Sequence, residues 1–196
     1  MTASPFMLKA LNIASLAMRM TSPNPRVGCV IVNSQGKILG QGHTQKAGGL
    51  HAERVALQDA ANQGNSVEGA TAYVTLEPCA HMSQRGPACA QLVAAAQPAR
   101  VVIALQDPDP RTAGAGIAAL KAAGIAVTTD VMMSQARQSL AGFLSRIESG
   151  RPFVTLKIAS SLDGQIAMAD GSSRWITGDV ARMHSHIERA RTDAIL

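Results

Sequence analysis

The chain changes repeatedly between helical and strand-like spacing of its apolar residues, and this alternation is what most limits its possible folds. Apolar residues recur at helical spacing over 6–19, and prolines at 23 and 25 then exclude a continuing helix. The continuous apolar run at 27–32 predicts a buried strand, and residues 37–41 return as its hairpin partner after a turn. Further helices are predicted at 52–63, 89–96 and 115–123, alternating with strands at 70–76, 100–105 and 125–128. This order predicts an α/β fold, with a mixed sheet and helices on both of its faces.

A domain boundary is expected at the sequence Ser149-Gly150-Arg151-Pro152, after a helix predicted at 134–148. Residues 1–149 then form one domain, and residues 150–196 begin a second. This second segment predicts a strand at 153–159, a helix at 178–191 and a new strand at 194–196. So short a segment cannot bury a core of its own, so we expect it to be the incomplete start of a domain.

Composition narrows the class of protein. The 196 residues are 46% hydrophobic but only 3% aromatic, so the core must be aliphatic. A formal charge of +5 suits an anionic small-molecule substrate, whereas the absence of basic runs and of stacking aromatics disfavours a nucleic-acid binder. Three cysteines fit a reducing cytoplasm better than a disulfide framework. No apolar stretch is long enough to predict a membrane span.

Four residues predict a catalytic metal site. His51 and Glu53 open a predicted helix, Cys79 follows Pro78 at the end of a strand, and Cys89 begins the next helix. One imidazole and two thiolates suit Zn²⁺, and three protein ligands leave a fourth position for water. Glu53 stands two residues from His51, near enough to carry protons. The His-x-Glu and Pro-Cys pattern is typical of zinc-dependent nucleobase deaminases, although their second cysteine usually follows more closely.

Other interpretations of these residues stay open. A single His is usually structural, and a single Cys is usually a small core residue, as we expect for Cys29. A purely structural zinc module would need a fourth protein ligand, which His81 could supply. A nucleoside or tRNA deaminase would share the zinc chemistry, but the missing basic run disfavours it.

Six segments resemble the bifunctional deaminase/reductase family of riboflavin biosynthesis, over nearly the whole chain. They are Pro23–Gly28, Gly48–Glu53, Thr75–His81, Asp107–Pro110, Lys157–Gly164 and Trp175–Thr177. The resemblance implies a cytidine-deaminase-like three-layer domain, followed by the start of a dihydrofolate-reductase-like domain. It implies zinc-dependent hydrolytic deamination of 2,5-diamino-6-(5-phosphoribosylamino)pyrimidin-4-one, and NADPH-dependent reduction by the full-length family proteins. Such proteins generally form homo-oligomers.

The same resemblance implies roles for individual residues. His51, Cys79 and Cys89 would hold zinc, and Glu53 would move protons. The remaining implied contacts are Asn24 and His43 with the pyrimidine, Arg85 with its phosphate, Ala159 and Trp175 with NADP, and Ser173 and Arg189 with the reductase substrate. Because the reductase domain is only begun by Leu196, we expect no reductase activity from this chain alone.

The loop between the two zinc cysteines departs from the family pattern. Nine residues separate Cys79 from Cys89, which is one more than the family usually has. Zinc binding should survive if the loop bulges, whereas the position of Arg85 depends directly on the loop.

Overall fold

The computed structural model describes residues 4–82 and 86–196, and it divides into two compact units, Met1–Pro152 and Phe153–Leu196. The first unit is built on a five-stranded sheet of order β2-β1-β3-β4-β5. Its strands are β1 Gly28–Val32, β2 Ile38–His43, β3 Thr71–Val74, β4 Arg100–Ile103 and β5 Ala126–Thr128. β1 runs antiparallel to both β2 and β3, while β3, β4 and β5 are parallel. The predicted mixed sheet with helices on both faces is confirmed.

The helices of this unit lie close to their predicted positions. They are α1 Pro5–Ser15, α2 Ala52–Asn62, α3 Cys89–Ala95, α4 Ala115–Ala122, α5 Met133–Ser139 and α6 Ala141–Ser149. α1 starts where the Ser4 side chain accepts a hydrogen bond from the Met7 N–H (3.4 Å), with Pro5 as its first residue.

Two helix predictions need correction. α1 ends at Ser15, earlier than the predicted residue 19, and the chain passes through turns in which Arg19 has a positive φ of 68°. The single helix predicted at 134–148 is divided at Leu140, where φ is −102° and ψ is 12°. Ser139 and Gly142 flank this break, and both residue types favour helix less than alanine does.

Glycines let two helices approach the sheet at backbone distance. A Cβ atom at Gly28 in β1 would lie 1.9 Å from the Ala10 carbonyl oxygen of α1. A Cβ atom at Gly42 in β2 would lie 2.7 Å from the Ala52 carbonyl oxygen, at the first residue of α2. The second contact fixes the start of α2, and therefore His51 and Glu53, against the sheet.

The second unit contains one helix, α7 Asp179–Ala190, within the predicted range 178–191. The strands predicted at 153–159 and 194–196 are wrong, because the structure pairs neither segment with another strand. A strand is stable only when its backbone groups are hydrogen-bonded to a neighbour. The apolar side chains of the first segment are instead exposed, as at Val154 (79%) and Leu156 (81%). None of the described helices is long and apolar enough to cross a membrane.

Candidate metal centre and active site

The amino end of α2 supplies two of the predicted site residues. His51 is the N-cap residue, and its extended backbone (φ −77°, ψ 160°) sets it just before the helix. Glu53 lies in the first turn, and its side chain is buried with only 3% of the residue exposed. A buried carboxyl group is costly unless it is neutral or has partners, so its position next to His51 indicates a function.

The carboxyl end of β3 and the start of α3 bring the two cysteines together. The Glu77 N–H donates to the Leu105 carbonyl (2.9 Å), so strand-like pairing continues up to Pro78 and Cys79. At α3, the Ala90 N–H donates to the Cys79 carbonyl (3.1 Å) and the Cys89 N–H donates to the Cys79 sulfur (3.3 Å). The long loop therefore returns Cys89 to Cys79, as the sequence predicted it must.

The three predicted ligands form a cluster whose dimensions suit Zn²⁺. The His51 Nδ1 atom lies 3.6 Å from the Cys79 sulfur and 3.4 Å from the Cys89 sulfur. All three donor atoms lie within 4.8 Å of one another. Tetrahedral Zn²⁺ with ordinary Zn–N and Zn–S bonds needs an N···S separation of about 3.5 Å. The donor set and its spacing therefore fit zinc, and His81 is outside the cluster found among the described residues.

The acidity of the cysteines reflects their contact with each other. The hydrogen bond from the Cys89 thiol lowers the pKa of Cys79 to about 4, and His51 adds to this effect. The same contact, together with burial, raises the pKa of Cys89. Cys79 is therefore the first of the pair to become a thiolate, the form in which cysteine binds metal.

Glu53 has the acidity of a group that exchanges protons near neutral pH. Burial raises the pKa of its carboxyl group to about 7, against opposing effects of backbone hydrogen bonding and of His51. A general acid–base group is most effective when its pKa lies close to the working pH.

The cluster opens into a cavity of about 360 Å³. His51, Glu53, Cys79 and Cys89 line it together with Leu76, which is buried. Other lining residues come from separate parts of the first unit: Pro23, Asn24 and Pro25 before β1, Arg54 of α2, His81, the segment Asp107, Asp109 and Arg111, and Phe143 and Arg146 of α6. The cavity thus combines buried or half-buried metal ligands with charged side chains.

The structure brings one of the predicted pyrimidine contacts to this cavity. Asn24 lines it, half-buried, beside the prolines on either side. His43 does not line it; at the end of β2 it lies in a separate groove with Val55 and Asp59 of α2. Arg85 lies outside the described residues, so its predicted phosphate contact stays a prediction.

The predicted reductase residues are all exposed in the second unit. Ala159, Ser173 and Arg189 are exposed, and 70% of Trp175 is exposed. The Arg182 guanidinium carbon lies 4.6 Å from the centre of the Trp175 ring. Their assignment to NADP and the reductase substrate stays a prediction.

Sequence reasoning gave no role to several charged residues of the cavity. Asp107 and Asp109 belong to a segment that carried the family resemblance, which could have pointed to them. Arg111 and Arg146 carried no sequence signal, since isolated arginines are common on protein surfaces.

The fold and the site define a zinc-binding deaminase. The chain matches the model of the cytidine and deoxycytidylate deaminase zinc-binding region over residues 1–105, more than half of its length, and it belongs to this family. Residues 152–196 match the model of the RibD C-terminal domain.

Within this family the chain is similar to the riboflavin biosynthesis protein RibD. It is 49% identical to RibD of Escherichia coli K12 over 191 residues, which is 97% of the chain and 51% of that relative. Among solved structures, Acinetobacter baumannii RibD is 46% identical with a TM-score of 0.81, over 95% of the chain and 51% of that protein.

A diaminohydroxyphosphoribosylaminopyrimidine deaminase/5-amino-6-(5-phosphoribosylamino)uracil reductase from Thermotoga maritima superposes with a TM-score of 0.86 at 38% identity. The superposition covers 94% of the chain and 52% of the Thermotoga maritima protein. The chain therefore spans about half the length of these relatives.

Proposed function

We propose that this chain catalyses the zinc-dependent hydrolytic deamination of 2,5-diamino-6-(5-phosphoribosylamino)pyrimidin-4-one in riboflavin biosynthesis. The observation that carries the proposal is the buried Glu53 carboxyl group beside three side chains whose donor atoms are spaced to bind zinc, in a cavity large enough for a small molecule. The name of the Thermotoga maritima relative supports the choice of substrate. The proposal covers deamination, in which a C–N bond to the exocyclic amine is replaced by a C=O bond and ammonia leaves.

Each residue of the site has a separate role in this reaction. His51, Cys79 and Cys89 would hold zinc, and the bound metal would supply a water molecule that ionises near neutral pH. Glu53 would carry one proton of the water to the ring nitrogen and then the second proton to the leaving amine, so that both protons of the water are accounted for. The Asn24 side chain, with both donor and acceptor atoms, holds an edge of the pyrimidine ring. Buried Leu76 provides apolar surface in the same cavity.

We further propose a cellular location and an oligomeric state for this enzyme. None of the cysteines at 29, 79 and 89 forms a disulfide, which supports a reducing cytoplasm as its location. We also propose a homo-oligomer, as the family resemblance implies, and a phosphorylated small molecule as its partner. Light scattering would measure the oligomeric state directly.

The decisive experiment compares Glu53→Gln with wild type, on protein of measured zinc content. We expect ammonia release to fall by about 10²- to 10⁴-fold because the proton carrier is lost. Zinc content should stay near one per chain, because the three ligands are unchanged. Glu68→Gln, at an exposed loop glutamate, is the matched control and should keep full activity.

Two results would contradict the proposal. Undiminished turnover of the Glu53→Gln protein would exclude Glu53 as the proton carrier. Zinc-loaded wild type that releases no ammonia from the pyrimidine, but does so from tRNA, would favour a nucleic-acid deaminase.

A further inference from the structure

Two arginines that line the cavity, Arg111 and Arg146, differ in the groups that surround their charge. Arg111 faces Asp109, to which its Nε donates at 3.0 Å, and the two form a salt bridge. The Arg111 guanidinium also holds the pKa of the Asp109 carboxyl below its usual value. The charge of Arg111 is therefore already matched by a carboxylate of the protein.

Arg146 of α6 is held by neutral groups instead. Its Nη2 donates to the Pro23 carbonyl oxygen at 3.1 Å, and its guanidinium carbon lies 5.7 Å from the centre of the Phe143 ring. None of the salt bridges formed among the described residues includes Arg146. The Arg146 side chain is thus oriented by uncharged groups, and the hydrogen bond described for it uses Nη2 alone among its nitrogen atoms.

The place of Arg146 in the cavity fits the outer part of an anionic ligand. It is exposed, whereas Glu53 and Cys89, which line the same cavity, are buried. Arg146 contacts the backbone of Pro23, the residue directly before Asn24. The Asn24 side chain, which is proposed to hold the ring, and the Arg146 guanidinium therefore lie on the same side of the cavity. A ligand with its ring at Glu53 and Asn24 would extend a substituent along this side towards solvent.

We propose that Arg146 binds the phosphate group of the substrate and so selects phosphorylated over unphosphorylated pyrimidines. The identity of the substrate rests on the proposed function, whereas the phosphate contact rests on the cavity alone. A guanidinium offers two parallel N–H groups to a phosphate, and a charge-assisted pair of this kind is stronger than a neutral hydrogen bond. Phe143 and Pro23 contribute by restricting the side chain before the ligand arrives.

The test measures phosphate recognition apart from turnover. Ribose 5-phosphate, the charged fragment of the substrate, is titrated calorimetrically into the zinc-loaded full chain and into Arg146→Gln. We expect the variant to bind about 10- to 100-fold more weakly, as for the loss of a hydrogen bond to a charged group. Arg137→Gln is the matched control, because Arg137 of α5 is paired with Glu148 and does not line the cavity.

Kinetics provide the second measurement. In Arg146→Gln, the preference for the phosphorylated substrate over its dephosphorylated form should fall by the same factor, mainly through KM. Arg146→Lys should retain only part of the preference for the phosphorylated substrate, since lysine keeps the charge but lacks the planar pair of donors.

The outcomes separate this inference from the proposed function. Equal ribose 5-phosphate affinity in wild type and Arg146→Gln, in an enzyme that deaminates the pyrimidine, would overturn the inference and leave the function standing. Loss of ribose 5-phosphate affinity in Arg146→Gln, in a wild-type protein that fails to deaminate the pyrimidine, would refute the function and support the phosphate site. Ribose 5-phosphate binding that is absent from wild type would also overturn the inference.

Discussion

Three carboxylates buried beside the cavity meet three different environments. Glu77 accepts hydrogen bonds from the backbone N–H groups of Asp107, Gly114 and Ile117, at 3.2, 3.0 and 3.0 Å. Asp109 is paired with Arg111. Asp107 accepts one hydrogen bond, from the Asp109 N–H at 2.9 Å, and burial raises the pKa of its carboxyl group from 3.8 to about 6. Asp107 is therefore the member of the group that is costly to ionise.

Replacing Asp107 with Asn should stabilise the protein at neutral pH and not in acid. A raised pKa means that the native state holds the Asp107 proton more tightly than the unfolded state does. The stability that the protonated Asp107 contributes is therefore complete below pH 3.8 and is lost as the pH rises through about 6. Asn keeps an acceptor for the Asp109 N–H and cannot ionise. We expect a gain of about 1 kcal/mol in the free energy of unfolding, after allowing for screening by solvent.

Urea unfolding at pH 4.5 and pH 7.5 measures this difference. Asp193→Asn reports the effect of removing an exposed carboxyl group. A gain in the Asp107→Asn protein that is the same at both pH values would show that ionisation of Asp107 is not its cause.

At the residue scale, chemistry visible in the sequence located the metal site but not the rest of the cavity. The clustering of His51, Cys79 and Cys89 could be predicted because their residue types and order are specific to one kind of chemistry, whereas the role of Glu53 stays a prediction. Arg146 could not, because its significance comes from Pro23, a residue 123 positions away. Glu77 likewise depends on backbone groups 30 to 40 residues further along.

Among the elements, α4 is joined to the metal site through its amino end. Glu77, two residues before Cys79, accepts the hydrogen bonds of Gly114 and Ile117 and so satisfies N–H groups that a helix start leaves unpaired. Gly116 packs against the same turn, where a Cβ atom would lie 2.0 Å from the Pro78 carbonyl oxygen. The helix and the strand end that carries Cys79 therefore share one tightly packed contact.

Gly116→Ala should damage this contact, although alanine normally favours a helix. The atom that a new Cβ would meet belongs to the backbone, so Pro78 and Cys79 must move. We expect a loss of about 1–3 kcal/mol in the free energy of unfolding and weaker zinc binding. Gly142→Ala in α6 is the matched control, because nothing lies within 4 Å of a Cβ there. That variant should be neutral or more stable by up to about 1 kcal/mol.

Denaturant unfolding and competitive zinc titration measure the two effects. If Gly116→Ala binds zinc as wild type does and is no less stable than Gly142→Ala, the turn at Pro78 is not held by this packing.

Element positions could be predicted wherever the local pattern and the tertiary contacts agree. β1 and α2 begin within a residue of their predicted starts, since a continuous apolar run and a helical period each favour one structure. Residues 153–159, which are rich in apolar residues, were also predicted as a strand. That prediction failed because a strand is defined by a hydrogen-bonded neighbour, which an apolar run does not supply.

The two units differ in how far their apolar side chains are buried. In the first unit they form a continuous core between sheet and helices, including Val30, Val74, Ile103 and Leu120, each essentially inaccessible. In the second unit, Val154, Leu156 and Leu162 are exposed. Every described residue of the zinc cluster and of the cavity lies in the first unit. Zinc binding and deamination are therefore expected to depend on residues 1–152.

A chain ending at Pro152 should consequently keep the deaminase site. We expect about one zinc per chain and ammonia release within a few-fold of the 196-residue chain. Its thermal midpoint should also change little, because the core of the first unit supplies the burial that stabilises it. The Glu53→Gln version of the shorter chain is the control for background ammonia. Loss of zinc or of the cooperative thermal transition after truncation would show that the second unit completes the fold of the first, and the domain assignment would then have to be abandoned.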